Sequence, residues 1–129
     1  MWGDRFISCE ETGYNPYEAS ENHTEQSRRL VPKDILICDW HYENQTGGYP
    51  SVNIFAEEGF RILLSPWRRR VNGELFLDYA EKHDKGRIEG VLMTTWCSSG
   101  ELSRCILDKS PAVWENTAEI ADTVKWIFE

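Results

Sequence analysis

Asp34-Ile35-Leu36-Ile37-Cys38-Asp39-Trp40-His41-Tyr42 is a short apolar run that closes on polar and aromatic side chains. Two later stretches repeat that plan: Phe60-Arg61-Ile62-Leu63-Leu64-Ser65-Pro66-Trp67 and Ile88-Glu89-Gly90-Val91-Leu92-Met93-Thr94-Thr95-Trp96. Their hydrophobicity is nearly continuous instead of strictly alternating, which marks parallel strands covered on both faces. Helix patterns separate them. Ser51 is placed to cap a helix over Val52 to Glu58, and Gly59 ends it in the C′ role. Asn72 begins a second helix to about His83, with Leu75, Phe76, Tyr79 and Ala80 on one face and Gly86 beyond its end. Ser98 or Ser99 opens a short helix through about Leu107. Pro111 then starts a last amphipathic helix, on which Val113, Trp114, Ile120, Val124 and Ile127 fall near helical spacing. The order β-α-β-α-β-α-α predicts an α/β fold, a parallel sheet with right-handed crossovers.

Upstream the pattern changes. Met1 to Ile7 reads as the last few residues of another strand, and Thr12 to Thr24 as a polar loop rich in Tyr, Asn and Glu. Glu25 to Leu30 fits one or two helical turns, stopped by Val31-Pro32 because a residue before proline disfavours helix. The 129 residues fit one domain with a real core. Within it, 1–32 is a strand end with a long loop, 33–107 three β/α units, and 111–129 the terminal helix.

A net charge of −8 argues against nucleic acid, since a polyanion needs a dominant basic face and Arg68-Arg69-Arg70 is only local. The four cysteines, Cys9, Cys38, Cys97 and Cys105, include no CxxC pair and no zinc-type spacing. Cys38 and Cys97 lie in apolar runs and read as small buried hydrophobes. No disulfide framework, metal or cofactor is implied. No membrane-spanning run and no signal peptide is present, so the chain as it stands reads as cytoplasmic with no membrane partner. Asn22-His23-Thr24 and Asn44-Gln45-Thr46 match the glycosylation pattern by chance in that setting.

The tryptophans carry the functional signal. Trp2, Trp40, Trp67 and Trp96 each fall at or near the C-terminal end of a strand, the edge on which β/α-barrels build their sites. Aromatic planes there fit the apolar faces of sugar rings, with Asp4, Asp39, His41, Tyr42 and Thr95 to fix hydroxyl groups. The plainer reading is that some of the rings plug the mouth of the barrel. The predicted ligand-binding set is Trp2, Asp4, Asp39, Trp40, His41, Tyr42, Trp67 and Trp96, with a carbohydrate as ligand.

From Met1 to about Leu107 the chain resembles the C-terminal part of the catalytic barrel of glycoside hydrolase family 20, the β-N-acetylhexosaminidases. Met1-Trp2-Gly3-Asp4-Arg5 resembles the end of that family's fifth strand, and Ala56-Glu57-Glu58-Gly59-Phe60-Arg61-Ile62-Leu63-Leu64-Ser65-Pro66 the helix leading into its seventh. Gly90-Val91-Leu92-Met93-Thr94-Thr95-Trp96 resembles the eighth strand, whose terminal Trp walls the sugar pocket. The resemblance implies a partial, TIM-type β/α-barrel and an N-acetylhexosaminide-like ligand. The family's Asp-Glu pair, with Glu as general acid, belongs to the fourth strand and has no counterpart here. Its seventh-strand Tyr and Asp are likewise replaced by Trp67 and three arginines. No catalytic residue is therefore assigned, and activity is expected only in a longer parent or an oligomer. A non-catalytic carbohydrate-binding or assembly piece is the alternative.

Three smaller signals compete with this one. Asp39 and His41 stand two apart and point to one side, as a metal-binding pair of a barrel hydrolase would, yet no second His-rich strand supplies further ligands. The three arginines follow the penultimate strand, where such barrels bind phosphate, although a solvated charged loop also accounts for them. Asp4 or Glu101 is placed to act as acid or base if a second chain completes the site. A half-barrel leaves two unpaired sheet edges, so a homodimer or larger homo-oligomer is expected.

Overall fold

The computed structural model describes residues 1–44 and 46–129; Gln45, the centre of the Asn44-Gln45-Thr46 sequence, lies outside the described residues. Three strands, β1 (Leu36–Trp40), β2 (Arg61–Ser65) and β3 (Ile88–Val91), form a parallel sheet in the order β1-β2-β3. Helix α1 (Cys9–Thr12) precedes the sheet. Helices α2 (Pro50–Glu57) and α3 (Arg70–His83) cross over between strands, and α4 (Ser99–Ile106) and α5 (Glu115–Phe128) follow. The register runs Leu36 with Arg61 through Trp40 with Ser65, and Ile62 with Ile88 through Leu64 with Val91, with an irregularity after Ile62. The α/β class is thus as the sequence indicates.

Both ends of the sheet extend beyond the regular strands. The Cys38 amide donates to Met1 O at 2.6 Å and the Gly3 amide to Cys38 O at 3.0 Å, so Met1–Gly3 runs as a short parallel edge beside β1. Gly3 is required there: a Cβ would sit 2.9 Å from both Ile37 Cγ2 and the Phe55 ring. Beyond β3, the Leu92 and Thr94 amides still donate to Leu64 O and Pro66 O. The third strand is shorter than its apolar run, but the ladder continues to Thr94.

The core lies between one face of the sheet and the crossover helices. Ile37, Ile62 and Leu64 from the strands meet Val52, Phe55, Phe60, Phe76 and Ala80. Helix α2 ends as its sequence dictates. Gly59 adopts φ +86° and donates to Ala56 O, Phe60 donates to Phe55 O, and the two rings meet edge to face at 6.1 Å. A smaller cluster, centred on Leu102, Ile120 and Ala121, joins α4 to α5. Gly73 in the first turn of α3 lets Trp126 of α5 approach to 3.1 Å of where a Cβ would stand. The opposite sheet face, with Leu36, Cys38, Trp40 and Leu63, is only half-buried. No helix among the described residues is long and apolar enough to cross a membrane.

Several helix boundaries differ from the sequence reading. Tyr49 stands at the N-cap of α2 with Pro50 in its first turn, and Ser51 is a fully buried residue of the helix instead of its cap. Asn72 lies within α3, where its buried amide donates to Asn44 O and Tyr49 Oη. The last helix starts at Glu115, not Pro111, because the buried Glu101 carboxylate accepts the Val113 and Trp114 amides and holds them in a turn. Val113 and Trp114 are consequently exposed and do not belong to the apolar face of α5. Cys38 and Cys97 are half-buried, not buried, and all four cysteines are free.

Candidate functional site

Residues 39 to 42 leave β1 in alternation. Trp40 and Tyr42 turn to one side; Asp39 and His41 turn to the other and are buried. Two distinct clusters result.

The first is aromatic and half-open. The Trp40 and Tyr42 rings lie 4.7 Å apart, and Tyr42 and Trp67 5.3 Å apart, tilted by 40° and 52°. The Trp96 indole N–H donates to Tyr42 Oη at 2.9 Å, and the Trp40 indole N–H to Asp4 Oδ1 at 3.1 Å. The ends of β1 and β2, the segment after β3 and the Met1–Gly3 edge thus meet in one rim. Trp67 is anchored from below by the α4–α5 cluster and covered by the Arg68 guanidinium at 4.6 Å. Trp96, 63% exposed, is the most open ring of the group. Trp2 pairs with Cys38 on the sheet edge and is exposed, and it stacks on no other ring among the described residues. Thr95 is exposed beside the rim, whereas Thr94 is buried and donates to Pro66 O.

The second cluster is polar and closed. Ser51 Oγ donates to Asp39 Oδ2 at 2.7 Å and meets His41 Nε2 at 2.9 Å and the Tyr14 hydroxyl at 3.0 Å. Asp39 Oδ1 stands 3.3 Å from His41 Nε2, and Glu18 Oε2 stands 3.7 Å from His41 Nδ1. The Tyr14, Tyr49 and Phe76 rings pack around the imidazole at 4.6–5.2 Å. Burial disfavours the imidazolium, but the Asp39 charge and hydrogen bond, followed by Glu18, outweigh it and push His41 up to about 9. Burial and the Asp39 charge raise the Tyr14 phenol above its ordinary range, so it stays a neutral donor. Burial and the Glu18 charge do the same for Tyr49.

Of the eight predicted ligand residues, the structure gathers Asp4, Trp40, Tyr42, Trp67 and Trp96 at one rim and leaves Trp2 at its edge. Asp39 and His41 lie behind the rim, not on it, because the Tyr14–Glu18 segment and α2 close over them. Among the described residues no group of three or more His, Cys, Asp or Glu side chains is arranged to hold a metal ion. The three arginines are each paired with an acidic side chain. Arg68 engages Glu43, Asn116 and Glu119, Arg69 engages Glu43, and Arg70 pairs with Glu74. Glu101 is buried and accepts the Val113 and Trp114 amides before α5.

Tyr14, Glu18 and Tyr49 escaped sequence reasoning, and Ser51 was read only as a helix cap. Three of them sit in loops or at a helix start without periodicity, and only their convergence on His41 gives them meaning. The chain matches no protein-family model and no curated protein.

Proposed function

We propose that this chain is the C-terminal half of a TIM-type β/α-barrel of the glycoside hydrolase family 20 kind. In this reading it holds an N-acetylhexosaminide-like glycoside against its aromatic rim, within a longer parent or a homo-oligomer. The observation that carries the reading is the gathering of Trp40, Tyr42, Trp67 and Trp96 at the C-terminal ends of successive parallel strands. The half-buried opposite face of the sheet supplies the second support, since parallel sheets are normally covered on both faces.

A non-catalytic, sugar-binding role is favoured by a separate observation. The carboxylates near the rim are already committed: Asp4 to Trp40 and Arg5, Glu43 to Arg68 and Arg69, Asp39 to Ser51 and His41. None is left as a free proton donor among the described residues of this edge. Titration with N-acetylglucosamine and with an aryl N-acetylglucosaminide tests both readings. Tryptophan quenching with release of the aryl alcohol supports a hydrolase, quenching without release supports the binding role, and neither response sinks both. Light scattering of the chain at micromolar concentration is expected to give the mass of a dimer or larger, and a single-chain mass would refute self-closure of the barrel.

A further inference from the structure

His41 lies between Trp40 and Tyr42 in sequence but on the opposite side of the backbone, fully buried. The hydrogen-bond directions around it fix its protons. Ser51 has one hydroxyl proton, and Asp39 Oδ2 at 2.7 Å takes it. The two lone pairs of Ser51 Oγ are then filled by the Tyr14 hydroxyl at 3.0 Å and by a proton on His41 Nε2 at 2.9 Å. The other ring nitrogen, Nδ1, is buried without a hydrogen-bond partner and faces the Glu18 carboxylate at 3.7 Å. A lone pair there would face a negative charge in apolar surroundings; a proton there makes an ion pair.

We propose that His41 is a positioning residue, a buried imidazolium clamped between Asp39 and Glu18. In this role it holds Trp40 and Tyr42 in their rim geometry, so loss of its proton loosens the rim and the Tyr14–Glu18 segment together. The groups facing the ring are Asp39 on β1, Tyr14 and Glu18 on the N-terminal segment, Tyr49 and Ser51 at the start of α2, and Phe76 on α3. Among the described residues, neither Asp39 nor Glu18 has an ion pair with a lysine or arginine, so both carboxylates depend on this one cation. Two carboxylates sharing one imidazolium keep it charged through neutral pH and release it in the alkaline range, in line with a value raised to about 9. The effect on ligand binding rests on the carbohydrate reading above; the coupling itself does not.

The test follows the His41 ring by NMR and the tryptophan emission of the whole chain from about pH 6 to about pH 11. The expected result is a ring titration near pH 9 with an emission change at the same midpoint. Trp40→Phe is expected to remove most of the emission change and leave the ring titration in place. That separates rim movement from quenching by ordinary tyrosine ionisation. Glu18→Gln is expected to lower the midpoint by about one unit or more with the far-ultraviolet circular dichroism unchanged at neutral pH. A wild-type ring that titrates near 6.5, or one that titrates without any emission change, overturns the proposal, and this arm needs no variant to fold. No sugar enters these measurements. Coupled titration without quenching by N-acetylglucosamine sinks the carbohydrate reading alone; quenching by that sugar without coupling sinks this one alone.

Discussion

The aromatic rim and the buried polar cluster are built from adjacent residues of one strand end, and they differ in almost every physical respect. Trp40 and Tyr42 are half-buried, make tilted ring contacts and use single hydrogen bonds to Asp4 and Trp96. Asp39 and His41 are sealed from solvent, and the side chains of both reach Ser51 at the start of α2. The first arrangement tolerates a ligand on its open side. The second leaves no room for one, and its charges are stable only because each has a partner. The difference teaches that a strand end in this fold does two jobs one residue apart: it presents a surface on one side and is bolted to the rest of the domain on the other.

The comparison breaks most sharply at His41. His41→Ala leaves Asp39 and Glu18 buried without their counter-charge and is expected to cost about 3–5 kcal/mol in denaturant unfolding. A loss as small as that of a rim residue would mean the cluster is hydrated and carries no buried charge. Alkaline pH is the next largest perturbation. His41 is raised from 6.5 unfolded to about 9 folded, so its contribution is fully present below about 6.5 and drains away as pH climbs through about 9. That shift is worth on the order of 3 kcal/mol. The melting temperature should fall over this window, and His41→Gln should flatten the fall.

The rim is expected to give smaller effects on stability and larger ones on ligand binding. Trp40→Ala removes a half-buried ring and its bond to Asp4, with a cost of about 1–2 kcal/mol, below that of a fully buried tryptophan; sugar-induced quenching should be lost. Trp96→Ala, at an open ring, should change stability by less than about 0.5 kcal/mol and still weaken quenching. If Trp96→Ala destabilised as much as His41→Ala, the separation between a presenting side and a bolted side would not hold.

Much of this was legible from one-dimensional pattern. The three apolar runs became the three parallel strands, and Gly59 closed α2 in the expected left-handed turn because no other residue adopts that φ without strain. The tryptophans fell at strand ends, and Trp40, Trp67 and Trp96 each contact Tyr42 there. Helix starts were read less well. Ser51 looked like a cap because serine caps helices, but Pro50 took the first turn and the Ser51 hydroxyl was recruited by Asp39 and His41. Pro111 looked like a helix start, but Glu101, ten residues away in sequence, captured the amides that would have begun the helix.

By itself, then, the sequence determined the α/β class, the parallel strands and the edge to which the aromatic rings belong, because apolar runs and turn residues act through neighbours along the chain. It also determined that residues 39 and 41 share one side and 40 and 42 the other, because a strand has a period of two. Only the tertiary structure decided which side is open. That choice depends on Tyr14 and Glu18 returning from a loop without periodicity, Tyr14 to meet Ser51 and Glu18 to meet His41, and long-range convergence of single polar groups leaves no trace in local pattern. The buried cation at His41 is the product of that convergence, and the rim is what remains on the other side.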